Sequence, residues 1–121
     1  MTRATALYSQ VLNSPVERVR VYIQPYSPGH LMVGGRRVAD GAADAPYFHF
    51  LVLEGRQLDE RHALLAGFTD LLVECLGVER GRVRGGCWPI AAEDWAIGGT
   101  PASLARAAEV AARAAAAAPS S

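Results

Sequence analysis

Arginine is the residue type with which this chain could most readily do chemistry. All twelve basic residues are arginine and none is lysine, which excludes catalysis through a lysine Schiff base. Arg56 stands between an apolar run and a helical pattern, where polar side chains often face a crevice. Its guanidinium could bind a carboxylate through two parallel hydrogen bonds. It could equally form a surface ion pair with Asp59 or Glu60, and the sequence leaves both interpretations open.

The other chemically versatile residues form no recognisable site. The three histidines, His30, His49 and His62, lack metal-ligand spacing, so we expect no metal. His49 lies in an apolar run and is expected to be a hydrogen-bonded interior residue. Cys75 is expected on the buried face of a helix. No glycine-rich segment joins a strand to a helix as a phosphate-binding loop does, and we expect no cofactor.

Composition and charge limit the class of protein. Half of the 121 residues are hydrophobic, enough for one domain with its own core. The formal net charge is zero, which disfavours nucleic acid and anionic membranes as partners. No apolar run has the length of a membrane span. Two cysteines without metal or disulfide-framework spacing favour a reduced, cytoplasmic protein.

The sequence repeats itself at an offset of 64 residues. Val33-Gly34-Gly35 aligns with Ile97-Gly98-Gly99, and Leu12-Asn13 aligns with Leu76-Gly77. The strand-like run Tyr47–Leu53 opens the second copy, and its counterpart would precede Met1. We therefore expect two copies of one supersecondary unit, the first of which lacks about 18 residues.

Residue patterns predict the elements of each copy. The clearest helix is Asp59–Leu76, which has an apolar stripe at three- and four-residue spacing; the stripe consists of Leu58, His62, Leu65, Phe68, Leu72 and Leu76. Apolar and alternating runs predict strands. The other predicted elements are a helix at Thr2–Leu12, strands at Val19–Gln24, Tyr47–Leu53 and Arg82–Trp88, and an alanine-rich helix from Pro101 to Ala114.

These elements predict an α+β fold of duplicated β-α-β units. A strand–helix–strand crossover makes its strands parallel and places its helix on one face of the sheet. Two units give a four-stranded sheet with both helices on one face, here apparently without the first strand. The open apolar face is expected to be covered by oligomerisation. We predict a domain at residues 1–100, with a truncated unit at 1–45 and a full unit at 46–100, followed by an alanine-rich helix and tail at 101–121.

Three segments carry a resemblance to a known family. They are residues 28–35 (PGHLMVGG), 53–56 (LEGR) and 94–99 (DWAIGG). In this order, in register with the repeat, they resemble the tautomerase superfamily, in particular its two-unit branch. That branch includes the cis-3-chloroacrylic acid dehalogenases, malonate semialdehyde decarboxylase and the macrophage migration inhibitory factor group. The similarity spans about Ala4 to Pro101 and implies a homotrimer around a central barrel. It also implies an active site with an N-terminal proline amine and arginines that bind the substrate carboxylate.

This sequence departs from the family pattern at the catalytic positions. The chain begins Met-Thr-Arg, and Pro46 is a mid-chain residue whose imide nitrogen is not basic, so no catalytic residue is identifiable. Arg56 matches one of the two arginines that the dehalogenase branch places ahead of its second helix. Leu53 occupies the position of the other, and Ala96 that of an acidic residue. Dehalogenase chemistry is therefore disfavoured.

The resemblance implies a substrate-binding set of Arg56, Tyr8 and Trp95. Tyr8 falls near a helical histidine of the dehalogenase branch, and Trp95 is either a substrate contact or a packing anchor under a turn. We predict isomerase or related proton-transfer chemistry on a small carboxylate or 2-keto acid in a homotrimer. The prediction requires a proline amine supplied upstream or by a partner. The alternative is a proline-less binding or assembly subunit, in a hetero-oligomer, whose sheet is completed by a partner strand.

Overall fold

The fold centres on one strand–helix–strand unit. The computed structural model describes residues 1–117. Two parallel strands, β3 (Tyr47–Leu53) and β4 (Arg84–Ile90), pair along their whole length, and helix α2 (Leu58–Leu76) connects them. In chain order the elements are α1 (Thr2–Leu12), β1 (Met32–Val33), β2 (Arg36–Arg37), β3 (Tyr47–Leu53), α2 (Leu58–Leu76), β4 (Arg84–Ile90), β5 (Ala96–Ile97), β6 (Thr100–Pro101), α3 (Ala102–Ala105) and α4 (Ala107–Ala117).

The ends of α2 are encoded by local sequence. Gln57 and Glu60 stand in capping-box positions, and the Gln57 backbone N–H donates to the Glu60 carboxylate at 3.0 Å, while the Glu60 N–H donates to Asp59 Oδ1 at 2.9 Å. At the other end, Gly77 adopts φ 65° and ψ 30°, a left-handed conformation that costs glycine little. These two signals set the limits of α2, which begins one residue before the predicted helix Asp59–Leu76 and ends at the same residue.

The 64-residue repeat is confirmed in three dimensions. β1 pairs with β2 as β5 pairs with β6, and both hairpins turn through a Gly-Gly pair. The φ angles are 60° and 81° at Gly34-Gly35, and 57° and 85° at Gly98-Gly99. Such positive values at both central residues are typical of a tight hairpin turn. The repeat therefore reflects a backbone requirement at these glycines.

Both long helices cover the same face of the β3–β4 pair. Phe50 and Val52 of β3 are buried against Leu12 of α1 and Leu64 of α2, which is fully buried. The Phe48 ring occupies the space that a side chain at Gly85 would need, only 2.1 Å from its Cβ position. The predicted α+β class and the placement of both helices on one face are therefore confirmed.

The opposite face of the pair is open. It carries Tyr47, Leu51 and Trp88, whose exposed fractions are 60%, 38% and 46%. His49 also lies on this face, with its ring 5.2 Å from that of Trp88, so the prediction of an interior histidine is wrong. The strand alternates, and within the described residues only one of its faces is covered.

The predicted strand at Val19–Gln24 is wrong. Within residues 1–117 this segment is unpaired, and Tyr22 and Ile23 are 85% and 68% exposed. The repeat aligns it with the start of β4, which pairs with β3. Within the described residues no strand stands beside residues 19–24 as β3 stands beside β4. The β3–β4 sheet is consequently two-stranded rather than four-stranded.

Two predictions about helical faces also need correction. Leu58, His62 and Leu76 of the predicted α2 stripe are exposed, because the buried face centres on Leu64 instead. Cys75 is exposed as well, on the side of α2 where Arg3 reaches its thiol.

The alanine-rich helix predicted from Pro101 to Ala114 is two helices. The backbone breaks at Arg106, with φ −128° and ψ 37°, between α3 and α4. Ala102 of α3 is fully buried. The tail predicted beyond α4 lies outside the described residues. No helix within residues 1–117 is long and apolar enough to cross a membrane.

Candidate functional site

Tyr8, Arg56 and Trp95 line one cavity at the carboxyl end of β3. Its volume is about 110 Å³, well below the roughly 300–1,000 Å³ of pockets for drug-sized ligands. Apolar side chains of β3 and β4 also line the cavity, among them Leu51, Leu53 and Ile90. The structure thus brings together all three predicted residues, in a space suited to a small ligand.

Arg56 is a largely enclosed cation in the lining of this cavity. Its side chain is 14% exposed, and its Nη1 donates to the carbonyl of Leu12 at 2.5 Å. That carbonyl ends α1, where a positive charge is favourable. Nη1 also lies 3.8 Å from a Glu60 carboxylate oxygen. The ion-pair interpretation therefore holds for Glu60 at long range, and the guanidinium still borders the cavity.

The charge of Arg56 is incompletely balanced. Burial, and then the nearby Arg113, lower its pKa, while Glu60 acts in the opposite direction. Arginine remains protonated in proteins despite such shifts. A buried cation facing a second cation is stabilised when an anion enters, so this part of the cavity favours a negatively charged ligand.

The hydroxyl of Tyr8 forms a hydrogen bond that joins α1 to β3. Its Oη donates to the carbonyl of Leu51 at 2.7 Å, on the edge of β3 that faces away from β4. Burial raises the pKa of Tyr8, and Arg56 only partly opposes this effect. The phenol is consequently neutral at physiological pH. Its hydrogen bond joins α1 to β3 at the wall of the cavity.

Trp95 lies in the turn before β5, and the structure leaves both of its predicted roles open. Its carbonyl accepts a hydrogen bond from the Ala102 N–H at 2.8 Å, which anchors the turn before β5. The side chain borders the cavity and remains 37% exposed. Packing and ligand contact are therefore compatible at this residue.

Four charged residues of the cavity were missed by sequence reasoning. They are Arg18, Arg106, Glu109 and Arg113. Arg18 and Glu109 form a two-pronged ion pair of 2.7 and 2.8 Å. Residues 106, 109, 110 and 113 share one helical face by their three- and four-residue spacing, a signal present in the sequence. With Arg56, the lining holds four arginines and one glutamate.

The cavity lacks a basic amine among its lining residues. Pro46 precedes β3, at the end opposite Arg56, and a seven-residue strand separates the two by roughly 20 Å. Met1 lies about two helical turns before Tyr8, roughly 10 Å along α1, and is 70% exposed. Glu109 is a weak base because the hydrogen bond from Arg18 lowers its pKa.

No metal centre is formed by the described residues. Within residues 1–117 there is no group of three His, Cys, Asp or Glu side chains able to hold an ion. The donors that line the cavity are mainly arginines, which bind anions rather than cations. The charge of the lining therefore favours an anion over a cation.

Comparison with solved structures places this fold among known tautomerases. The structure of Pt0534 inactivated by 2-oxo-3-pentynoate superimposes with a TM-score of 0.78 at 23% identity, covering 86% of this chain and 82% of that chain. A native fused 4-OT gives a TM-score of 0.74 at 26% identity, covering 85% and 82%. Other fused 4-OT structures are described as symmetric or asymmetric trimers. The structural neighbours are tautomerase-superfamily members and share this fold.

A shorter neighbour matches about half of the chain. It belongs to the 4-oxalocrotonate tautomerase isozymes from Methylibium petroleiphilum, with 27% identity, a TM-score of 0.50, and coverage of 52% of this chain and 98% of that chain. This relation is the one expected of a duplicated unit. A member of the cis-3-chloroacrylic acid dehalogenase family also matches, with a TM-score of 0.63 at 19% identity. The placement in that particular branch stays a prediction. Neither a scan of protein-family models nor a search of curated proteins found a match.

Proposed function

We propose that the cavity binds a small carboxylate of the 2-keto acid class and that the protein supports proton transfer on it. The observation that carries the proposal is the enclosed guanidinium of Arg56, beside a lining with four arginines and one glutamate. A carboxylate would pair with a guanidinium through charge-assisted hydrogen bonds. The same positive field would stabilise the enolate formed when a proton leaves the carbon next to the keto group.

The similarity to fused 4-OT at 26% identity supports this class of reaction. The proton carrier would be a proline amine at a processed chain start or on a partner, since the lining residues offer no basic amine. A free α-amino group has a pKa of roughly 8, and neighbouring arginines would lower it towards neutrality. Tyr8 and Trp95 would shape the cavity, while Arg56 would orient the substrate carboxylate.

The proposed assembly is a homotrimer of cytoplasmic protein. The open face of the β3–β4 pair, with Tyr47, Leu51 and Trp88, is the surface that assembly would cover. The trimers formed by fused 4-OT proteins support this arrangement. Covering these side chains would remove their apolar surface from water, which stabilises an assembly by about 25 cal/mol for each Å² buried.

Deuterium exchange into 2-oxobutanoate, followed by proton NMR in D₂O, tests the proposed reaction. The protein purified from its native host should accelerate exchange at C3 above the buffer rate, and its N-terminal sequence and intact mass should reveal a terminal proline. Arg56→Gln should raise KM by roughly 10- to 100-fold, because a hydrogen bond to a charged group contributes about 1.5–3 kcal/mol. Arg20→Gln is the control, since Arg20 is exposed and outside the cavity lining. An Arg56→Gln protein with unchanged KM and exchange rate would contradict the proposal.

A second candidate function is a binding or assembly subunit completed by a partner strand. The observation in its favour is the pair of unpaired strand surfaces within residues 1–117, the outer edge of β3 and the extended segment at 19–24. Exposed strand edges recruit further strands. Co-purification of a short polypeptide in a fixed ratio, together with absent exchange activity, would favour this function over catalysis. A protein that is active as a homo-oligomer would eliminate it.

A further inference from the structure

The C-terminal helix α4 lies against the cavity but is lightly attached to the rest of the chain. It follows the backbone break at Arg106, whereas α3 before the break is anchored by the fully buried Ala102. α4 contributes Glu109, Val110 and Arg113 to the cavity lining. A helix that is joined through a break and presents charged residues to a cavity can open and close over it.

Within residues 1–117, two contacts attach α4 to distant parts of the chain. The first is the ion pair between Glu109 and Arg18, which are 91 residues apart in the chain. The second is the packing of Arg113 methylenes on Gly55, whose Cβ position lies 3.4 Å from Cγ and Cδ of that arginine. Gly55 has φ 103°, so glycine both permits this turn and leaves room for the arginine stem.

The guanidinium of Arg113 is available for a ligand. Within residues 1–117 the guanidinium of Arg113 has no ion pair and no hydrogen bond, and neither has that of Arg106. Arg18, in contrast, is paired with Glu109. Arg113 and Arg56 line the same cavity, and after burial the positive charge of Arg113 is the next cause that lowers the pKa of Arg56. The lining holds four arginines against Glu109, which is paired with Arg18, while Glu60 lies 3.8 Å from Arg56. The remaining excess of positive charge is stabilised when an anion enters.

We propose that Arg113 is a second carboxylate-binding residue and that α4 closes the site over the bound ligand. This inference rests on the proposed function, because it concerns the same 2-keto acid cavity. Glu109 acts as a positioning residue, since it holds α4 through Arg18 rather than touching the ligand. The ligand carboxylate lies between Arg56 on the scaffold and Arg113 on the closing helix.

Calorimetric titration with 2-oxobutanoate at low ionic strength tests the binding role. Arg113→Gln should weaken binding about 10-fold or more, as expected for removal of one charge-assisted contact. Arg113→Lys, which keeps the charge, should recover part of that loss. Arg20→Gln, an exposed arginine outside the lining, should bind like the parent. Equal affinities for the parent and a folded Arg113→Gln protein would overturn the inference.

Limited trypsin digestion tests closure with a separate readout. Trypsin cleaves after Arg106, at the break between α3 and α4, and intact mass reports the product. Saturating 2-oxobutanoate should slow this cleavage at least several-fold in the parent. In Glu109→Gln the unliganded protein should be cut faster, because the contact with Arg18 is lost. Cleavage that ligand does not slow would refute closure.

The Arg56→Gln protein separates the two proposals. Loss of binding in Arg56→Gln but not in Arg113→Gln would leave the carboxylate site standing and remove α4 from it. Unchanged binding in both variants would contradict the proposed function itself.

Discussion

Replacing Tyr8 with phenylalanine removes one hydroxyl and keeps the ring. The lost group donates to the Leu51 carbonyl at 2.7 Å, on the edge of β3 that no other strand covers within residues 1–117. A typical intramolecular hydrogen bond contributes about 0.5–1.5 kcal/mol net. The half-buried site admits some water to the freed carbonyl, so we expect the free energy of unfolding to fall by about 1 kcal/mol. For a chain of this size, the melting temperature should fall by roughly 4 °C.

The same substitution should leave the pH dependence of exchange unchanged. Burial raises the pKa of Tyr8, so the phenol stays protonated across the neutral range and cannot serve there as a base. We expect the KM for 2-oxobutanoate to change less than about threefold, as the cavity loses only a scaffold contact. Urea unfolding followed by fluorescence measures stability, and NMR exchange between pH 6 and 9 measures activity.

Tyr22→Phe is the matched control for this prediction. Tyr22 is 85% exposed and forms no hydrogen bond within the described residues, so its variant should stay within about 0.5 kcal/mol of the parent. The reasoning is refuted if Tyr8→Phe loses exchange activity by more than tenfold, or shifts its pH profile, while unfolding like the control. Tyr8 would then take part in proton transfer.

Three further outcomes follow from the packing and charges. Leu64→Ala should lower the free energy of unfolding by about 2–5 kcal/mol because Leu64 is fully buried. Leu58 is 54% exposed, so the control Leu58→Ala should lower it by less than about 1 kcal/mol. Equal losses of the two variants in urea unfolding would contradict the packing of α2. Trp88→Glu on the open sheet face should reduce the mass measured by light scattering from that of the proposed trimer towards that of a monomer; a mass equal to that of the parent assembly would exclude this face as the interface. The hydrogen bond from Arg18 lowers the pKa of Glu109. The ion pair should therefore hold α4 fully above the unfolded-state pKa of about 4.3, and this attachment should be lost as the pH falls through the lower folded-state pKa. Amide hydrogen exchange in α4 that stays constant from pH 6 to 3, after correction for intrinsic rates, would argue against this attachment.

The agreement between sequence and structure is best where the signal is local. The Gly-Gly pairs recur 64 residues apart in the sequence, and in the structure both pairs form a tight hairpin turn whose two central residues adopt positive φ. The limits of β3 were predicted without error from an apolar seven-residue run. Arg56, Tyr8 and Trp95 came from the family resemblance, and the structure places them around one cavity.

The sequence misjudged features that depend on what lies opposite a residue. The 19–24 segment has strand-forming residues, but a strand exists only where a partner supplies hydrogen bonds, and the described chain supplies none there. His49 was expected inside because its run is apolar. It is exposed because one face of β3 lacks a cover within residues 1–117.

The sequence by itself determined the duplication, the α+β class and the strand–helix–strand order, since periodicity and turn residues act within short windows of chain. Only the tertiary structure decided which charges meet. Arg18 and Glu109 are 91 residues apart, and Arg56 and Arg113 reach one cavity from β3's end and from α4. No local pattern specifies such encounters, because they depend on how the elements pack, and the proposed anion site consists of them.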